Sequence, residues 1–196
     1  MKRKIFTSIS VIILGLIISS FSHEYQVDAN IKNVVWLGVD FTAAKFTLVT
    51  EDPDVIVNQY LQAINVLIIS EQEKFNIKNF FRVAEVKNNI GLVNEFNLKI
   101  DPTTLVIFDD YRLDMDQVKD VIKKYDVEDK SATGLIFVAE NLNKVSQTGS
   151  YYVCFFDLTT KEIIESKRMV GAVSGFGFRN YWAGTIYNVM KTWALQ

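Results

Sequence analysis

The distribution of apolar residues predicts a long strand early in the chain. Residues 33–49 are rich in β-branched and aromatic side chains, which favours a strand, with a bend near Ala43 and Ala44. Apolar residues occur on both faces of the first half of this strand. We therefore expect a central strand that is covered on both sides. Asp40 lies within it as a charged exception.

A helix start follows this strand. Asp52 can cap the helix, Pro53 suits its first position, and nearby acids face the positive end of the helix dipole. We expect the helix to run to about Ser70 and to pack on the sheet through residues at helical spacing: Ile56, Val57, Tyr60, Leu61, Ile64, Leu67 and Ile68. Residues 75–99 fit a helical period about as well as two short strands, and a helix is the favoured interpretation.

The second half of the chain predicts a helix, three strands and a closing helix. Asp114 and Gln117 have the spacing of a capping box. Strands are expected at about residues 134–139, 151–158 and 162–170, and a turn-like sequence between the last two predicts an antiparallel hairpin. The closing helix is expected to begin at Asn180, as its cap, and to end near Trp193.

This order of elements predicts one α+β domain with a mostly antiparallel sheet and helices packed against it. No repeat, charge block or flexible linker interrupts the chain. Its 196 residues are 49% hydrophobic and 13% aromatic, which is enough apolar surface to form one core.

The N-terminal segment has the organisation of a signal peptide. A basic start at residues 1–4 leads into an apolar stretch at residues 5–18, and Ser20 and Ser22 supply the small residues that a signal peptidase reads. We expect cleavage after Ser22, which leaves residues 23–196 as the domain. An uncleaved anchor is the alternative, but the continuous apolar run at residues 11–18 is short against the roughly 20 residues of a spanning helix.

These features predict an exported protein, periplasmic or secreted, that meets the membrane only through the signal segment before cleavage. Lipid anchoring through this segment is excluded because no cysteine follows the apolar run.

The net charge of −2 comes from interspersed acids and bases. Without a basic stripe, nucleic acid is a poor candidate partner.

Two residue types limit the chemistry. Cys154 is the only cysteine, so no intramolecular disulfide forms, and its apolar context favours a packed residue in a strand. A nucleophilic thiol needs a base, yet the only histidine, His23, stands at the start of the expected mature chain. The sequence has no serine nucleophile elbow, and zinc is improbable with one cysteine and one histidine. We therefore expect no metal and no cofactor.

A glycine-rich aromatic loop at residues 171–182 is the main candidate binding site. Glycines permit tight turns, and free N–H groups at a helix start beside a cation can hold an anion. The candidate binding residues are Gly175, Gly177, Arg179 and Asn180. The alternative is a structural plug made by Phe176, Phe178 and Trp182. We expect a mixed outcome, with Phe178 and Trp182 in the core and Arg179 exposed.

Acidic residues form the second candidate site. Several of them stand at predicted strand ends: Asp40, Asp109, Asp110, Glu140 and Asp157. Paired carboxylates serve glycoside hydrolysis or bind a divalent cation when their separation is right. Acids that cap turns are much commoner, and both Asp157 and the Asp109–Asp110 pair stand where turns are expected.

Four short segments resemble an uncharacterised family of exported proteins from Bacteroidetes. They are residues 37–41 (LGVDF), 143–144 (NK), 155–157 (FFD) and, above all, 175–183 (GFGFRNYWA). The resemblance implies export and a shared fold, and it transfers no catalytic residue.

Two functions from different classes follow. The first is a non-enzymatic protein that binds an envelope protein or another envelope component through the loop at residues 171–182, either free or tethered to the membrane. The second is an exported hydrolase that uses the acidic residues, with or without a divalent cation.

Overall fold

A mixed seven-stranded sheet lies between two layers of helices in the computed structural model, which describes residues 31–196. The expected signal segment and His23 lie outside these residues. The strands are β1 (Asn33–Asp40), β2 (Lys45–Thr47), β3 (Glu85–Asn88), β4 (Val106–Ile107), β5 (Thr133–Asn143), β6 (Thr148–Asp157) and β7 (Ile163–Ala172).

The helices separate and follow these strands. They are α1 (Pro53–Val55), α2 (Leu61–Ser70), α3 (Ile77–Phe80), α4 (Gly91–Asn97), α5 (Met115–Lys123) and α6 (Phe178–Ala194). A π-helical segment, Ile56–Tyr60, joins α1 to α2, and a 3-10 turn, Pro102–Thr104, precedes β4. Among the described residues, no helix is both long enough and apolar enough to cross a membrane.

The prediction of a mostly antiparallel sheet is wrong, because five strands run in a parallel order and the fold is α/β. β1 pairs in parallel with β3 and β5, and β2 pairs in parallel with β5 and β4. Only β5–β6 and β6–β7 are antiparallel, the latter as the predicted hairpin. The helical crossovers after β2, β3 and β4 return the chain to the same end of the sheet, which makes parallel pairing possible.

The individual elements show where the sequence was informative. Asp52 caps the helix at Pro53, and Asp114 forms a capping box with Gln117, both as predicted. Residues 75–99, interpreted as helix, instead contain α3, β3 and α4. β3 pairs with β1, which is about fifty residues away in the chain, and such a non-local partner leaves no periodic signal.

Both faces of β1 are buried, as predicted for a central strand. Trp36 points to the face covered by α2 and α6, whereas Leu37 points to the face covered by α4 and α5. β5 alternates in the same way, with Phe137 on the first face and Val138 on the second. The protein is thus a three-layer sandwich whose sheet positions the loops at its two ends.

Asparagine side chains complete the edge of β1 where β3 stops. β3 extends only as far as the partner of Trp36. Beyond that point the backbone N–H of Val39 donates to Oδ1 of Asn65 (2.7 Å), and the Val39 carbonyl accepts from Nδ2 of Asn65 and of Asn97. Because a buried, unpaired backbone group is costly, the two amides take the place of a neighbouring strand.

Candidate functional site

The glycine-aromatic loop turns through two glycines directly before α6. Gly175 and Gly177 have φ values of +96° and +74°, in a region that other residues rarely adopt. Gly177 stands at the cap position of α6, and its carbonyl accepts from the N–H of Tyr181. The prediction of Asn180 as the cap is therefore wrong, because the turn at Gly177 lets the helix begin at Phe178.

The aromatic residues of this loop divide between core and solvent. Trp182 is buried, and the Phe178 ring packs between Phe46 and Tyr60 with centroid distances of 5.8 and 4.8 Å. Phe176 is 95% exposed. The structural-plug alternative is wrong for Phe176, whereas Trp182 is in the core as expected and Phe178 is half-buried against it.

Arg179 is exposed, as expected. Its Nε donates to Oδ1 of the neighbouring Asn180 at 3.0 Å, and within residues 31–196 it forms no ion pair. Gly175 packs against the backbone of Asn180, where an added Cβ would lie 3.1 Å from the carbonyl oxygen. Of the four candidate binding residues, Gly177 lines a cleft formed by described residues.

That cavity is a cleft of about 170 Å³ between the loop and the segment that follows β2. Its lining includes Glu51, Lys144, Gly177, Phe178 and Tyr181. Nζ of Lys144 lies 3.8 Å above the centroid of the Tyr181 ring, a cation–π contact. The buried Tyr181 hydroxyl has no hydrogen-bond partner in the described part of the chain. The cleft thus offers a cation and an aromatic wall.

Exposed apolar side chains lie on the three loops that form this cleft and on the loop after β4. Leu48, Phe108, Val145 and Phe176 are 41, 82, 70 and 95% exposed, and we call them the apolar rim. Each belongs to a different loop.

The sheet register explains why these loops are neighbours. Thr47, at the end of β2, pairs with Ile107 on one side and Asn143 on the other, so Leu48 and Phe108 leave the sheet together and Val145 follows close by. The β5–β6 turn in its turn contacts the segment after β7, because the N–H of Val173 donates to the carbonyl of Gln147 at 3.0 Å. The loop that carries Phe176 is therefore next to the turn that carries Val145.

The buried acids have internal partners. Oδ1 of Asp40 accepts from the N–H and the hydroxyl of Thr42, and its Oδ2 accepts from the Tyr125 hydroxyl at 2.5 Å. Glu140 accepts from the N–H of Leu113 (3.0 Å) and from Nε of Arg168 (2.8 Å). Both carboxyls are inaccessible to solvent, so each acts as a structural acceptor.

The remaining acids cap turns and side chains. Asp157 accepts from the N–H groups of Thr159 and Thr160, and these bonds, above all the one from Thr160, lower the pKa of its carboxyl. Asp110 accepts from Nδ2 of Asn143 at 2.7 Å, and Asp109 is exposed. The acids occupy separate hydrogen-bond networks, and no group of three metal-ligating side chains comes together within residues 31–196.

Cys154 is buried on the face covered by α4 and α5, as its strand context indicated. Burial raises the pKa of its thiol to about 12, so the side chain stays protonated at neutral pH. A protonated thiol is a poor nucleophile. This agrees with the interpretation of Cys154 as a packed residue.

Sequence reasoning missed the apolar rim and the two charged residues of the cleft, Glu51 and Lys144. One signal was present. Phe108 precedes two aspartates, and Val145 stands between a lysine and a serine, so both are large apolar residues in polar turn sequences. Such residues are exposed unless a long-range contact covers them. Only the strand register shows that they lie beside Phe176.

Comparisons with models of known protein families, with curated proteins and with solved structures find no match for this chain. The resemblance in residues 175–183 therefore stays a prediction. What the site does has to be inferred from its geometry.

Proposed function

We propose that this protein is an exported, non-catalytic binding protein that docks a partner protein on the apolar rim and the adjoining cleft. The observation that carries the proposal is that four exposed apolar residues lie on neighbouring loops at one end of the sheet, three of them next in sequence to residues that line the cleft. Single exposed apolar residues are ordinary, but a contiguous group rimmed by polar residues marks an interaction surface. Loops on a rigid sheet are a common place for such surfaces.

The charges around the rim favour a protein over a membrane. Lys144 and Arg179 supply positive charge, whereas Asp109, Asp110 and Glu51 supply negative charge on the same end of the sheet. An anionic lipid surface would repel the two aspartates beside Phe108. A protein partner can match both signs, with Phe176 as the central apolar anchor.

The acids of the hydrolase alternative make it the weaker candidate. Asp40 and Glu140 have no solvent access, and Asp157 is used within its own turn. A catalytic pair needs two carboxyls that face one substrate position, which these separate networks do not provide.

A photo-crosslinking amino acid at position 145, introduced in the native envelope, tests the proposal. We expect a discrete crosslinked protein that disappears when Phe176→Ser is added. Leu195→Ser is the matched control, because Leu195 is 85% exposed but lies at the far end of α6, about 25 Å from Phe176. Equal crosslinking in both variants would contradict the proposal. So would flotation of the purified protein with anionic lipid vesicles that depends on Phe176, which would assign the rim to a membrane.

A further inference from the structure

A second cavity, independent of the apolar rim, lies at the carboxyl end of β1. It has a volume of about 330 Å³ and is lined by Thr42 and Ala44, by the ends of α4 and α5, and by the turn before β4. Here the chain that leaves β1 and β2 crosses one face of the sheet through α2, and the connections after β3 and β4 cross the other face through α4 and α5. In open α/β sheets, ligands bind in the crevice where successive crossovers diverge in this way.

Positive charge is concentrated around this cavity. Lys45, Lys99 and Lys124 line it, and Asp101 is the one carboxylate among its lining residues. Oδ1 of Asp101 already accepts from the N–H and the hydroxyl of Thr103. None of the three lysines forms an ion pair with another residue of the described chain. Three cations and one anion leave a formal charge of +2.

The helix ends explain part of this charge. Lys99 and Lys124 follow the C-terminal turns of α4 and α5, where a cation offsets the partial negative charge of free carbonyls. Lys45 is on β2 and has no such role. Its Nζ donates to the carbonyl of Thr104 at 2.6 Å, a contact that holds the ammonium group against another lining residue.

The cavity also has an apolar wall. Phe96, Ile100 and Leu105 line it, and Nζ of Lys99 lies 5.7 Å from the centroid of the Phe96 ring. Four of the ten lining residues are apolar, so the lining is mixed, and the volume is at the lower end of the range of small-molecule sites. The charge excess selects a ligand with two negative charges.

We propose that this cavity binds a small organic dianion, with its acidic groups on Lys45, Lys99 and Lys124 and its apolar or planar part against Phe96. A phosphate ester and a dicarboxylate share this chemistry. Lysine ammonium groups bind either as point charges, so the cavity accepts both geometries.

Calorimetric titration of the purified protein at low ionic strength tests the proposal with two probes, phenyl phosphate and phthalate. We expect saturable 1:1 binding of at least one probe, weakened about tenfold by Lys124→Gln, since a charge-assisted hydrogen bond is lost. Lys123→Gln is the matched control, because Lys123 is the preceding residue, is exposed and pairs with Asp120 outside the cavity. It should leave the affinity nearly unchanged.

Each outcome decides the matter. Binding of phenyl phosphate alone assigns the site to phosphate esters, and binding of phthalate alone assigns it to dicarboxylates. No saturable binding of either probe overturns the proposal. Equal affinities of the Lys123→Gln and Lys124→Gln variants also overturn it, because the lysine at the cavity would then contribute no more to binding than a lysine outside it. Both lysines are exposed, so neither variant should alter the unfolding transition.

Discussion

The hydroxyl of Tyr125 donates a 2.5 Å hydrogen bond to Oδ2 of Asp40 inside the core. Burial raises the pKa of the Asp40 carboxyl, although the hydrogen bonds from Thr42 and Tyr125 oppose this. Burial, together with the adjacent Asp40, also raises the pKa of Tyr125, so the phenol remains a donor. This hydrogen bond therefore links the end of β1 to the segment after α5.

The raised pKa of Asp40 predicts a specific pH dependence. The folded protein holds this proton at pH values where the unfolded chain has released it, so the stabilising contribution is full below about pH 4 and is lost as pH rises through the folded pKa. We expect the unfolding free energy of the wild type, relative to Asp40→Asn, to fall as the pH rises from about 4 towards neutrality. Urea unfolding across this range measures it, and a constant difference would contradict the assignment.

Because one aromatic residue of the loop is buried and another is exposed, their substitutions should change the unfolding free energy by very different amounts. Trp182→Ala should lower the unfolding free energy by about 3 to 5 kcal/mol, because it empties a buried aromatic site. Phe176→Ala should change it by less than about 0.5 kcal/mol, because the ring is exposed. Arg179→Ala is expected to behave like Phe176→Ala. Denaturant unfolding of the three variants checks this, and a large loss for Phe176→Ala would place its ring in the core.

Glu140 is expected to be structural. Glu140→Ala leaves the guanidinium of Arg168 without its carboxylate and the Leu113 N–H without its acceptor, so we predict a loss of about 3 to 5 kcal/mol in unfolding free energy. The double variant Glu140→Ala with Arg168→Ala should recover part of this loss, since the unpaired charge is removed as well. A Glu140→Ala protein with unchanged stability would contradict this structural role.

Export is tested at the N-terminus. If a signal peptidase cleaves after Ser22, mass spectrometry of the native protein should find a chain that begins at His23, in an extracytoplasmic fraction. An intact N-terminus in a membrane fraction would indicate the uncleaved anchor. Full-length protein in the cytoplasm would refute export.

Local signals in the sequence determined several elements of this protein. The caps at Asp52 and Asp114, the hairpin of β6 and β7, and the buried central strand β1 depend on neighbouring residues or on residue type, so the sequence predicts them directly. Residue type also predicted the exposure of Arg179 and the burial of Trp182.

Only the tertiary structure decided the direction of the sheet and the composition of the site. Parallel pairing of β1 with β5 depends on how the crossovers return the chain, and the short strands β2, β3 and β4 exist only because distant partners satisfy their backbones. The same register brings the loops of Leu48, Phe108 and Val145 next to one another, and the fold places Lys45 and Lys124 in the lining of one cavity. These residues come from segments far apart in the chain, and no local pattern records which segments will meet.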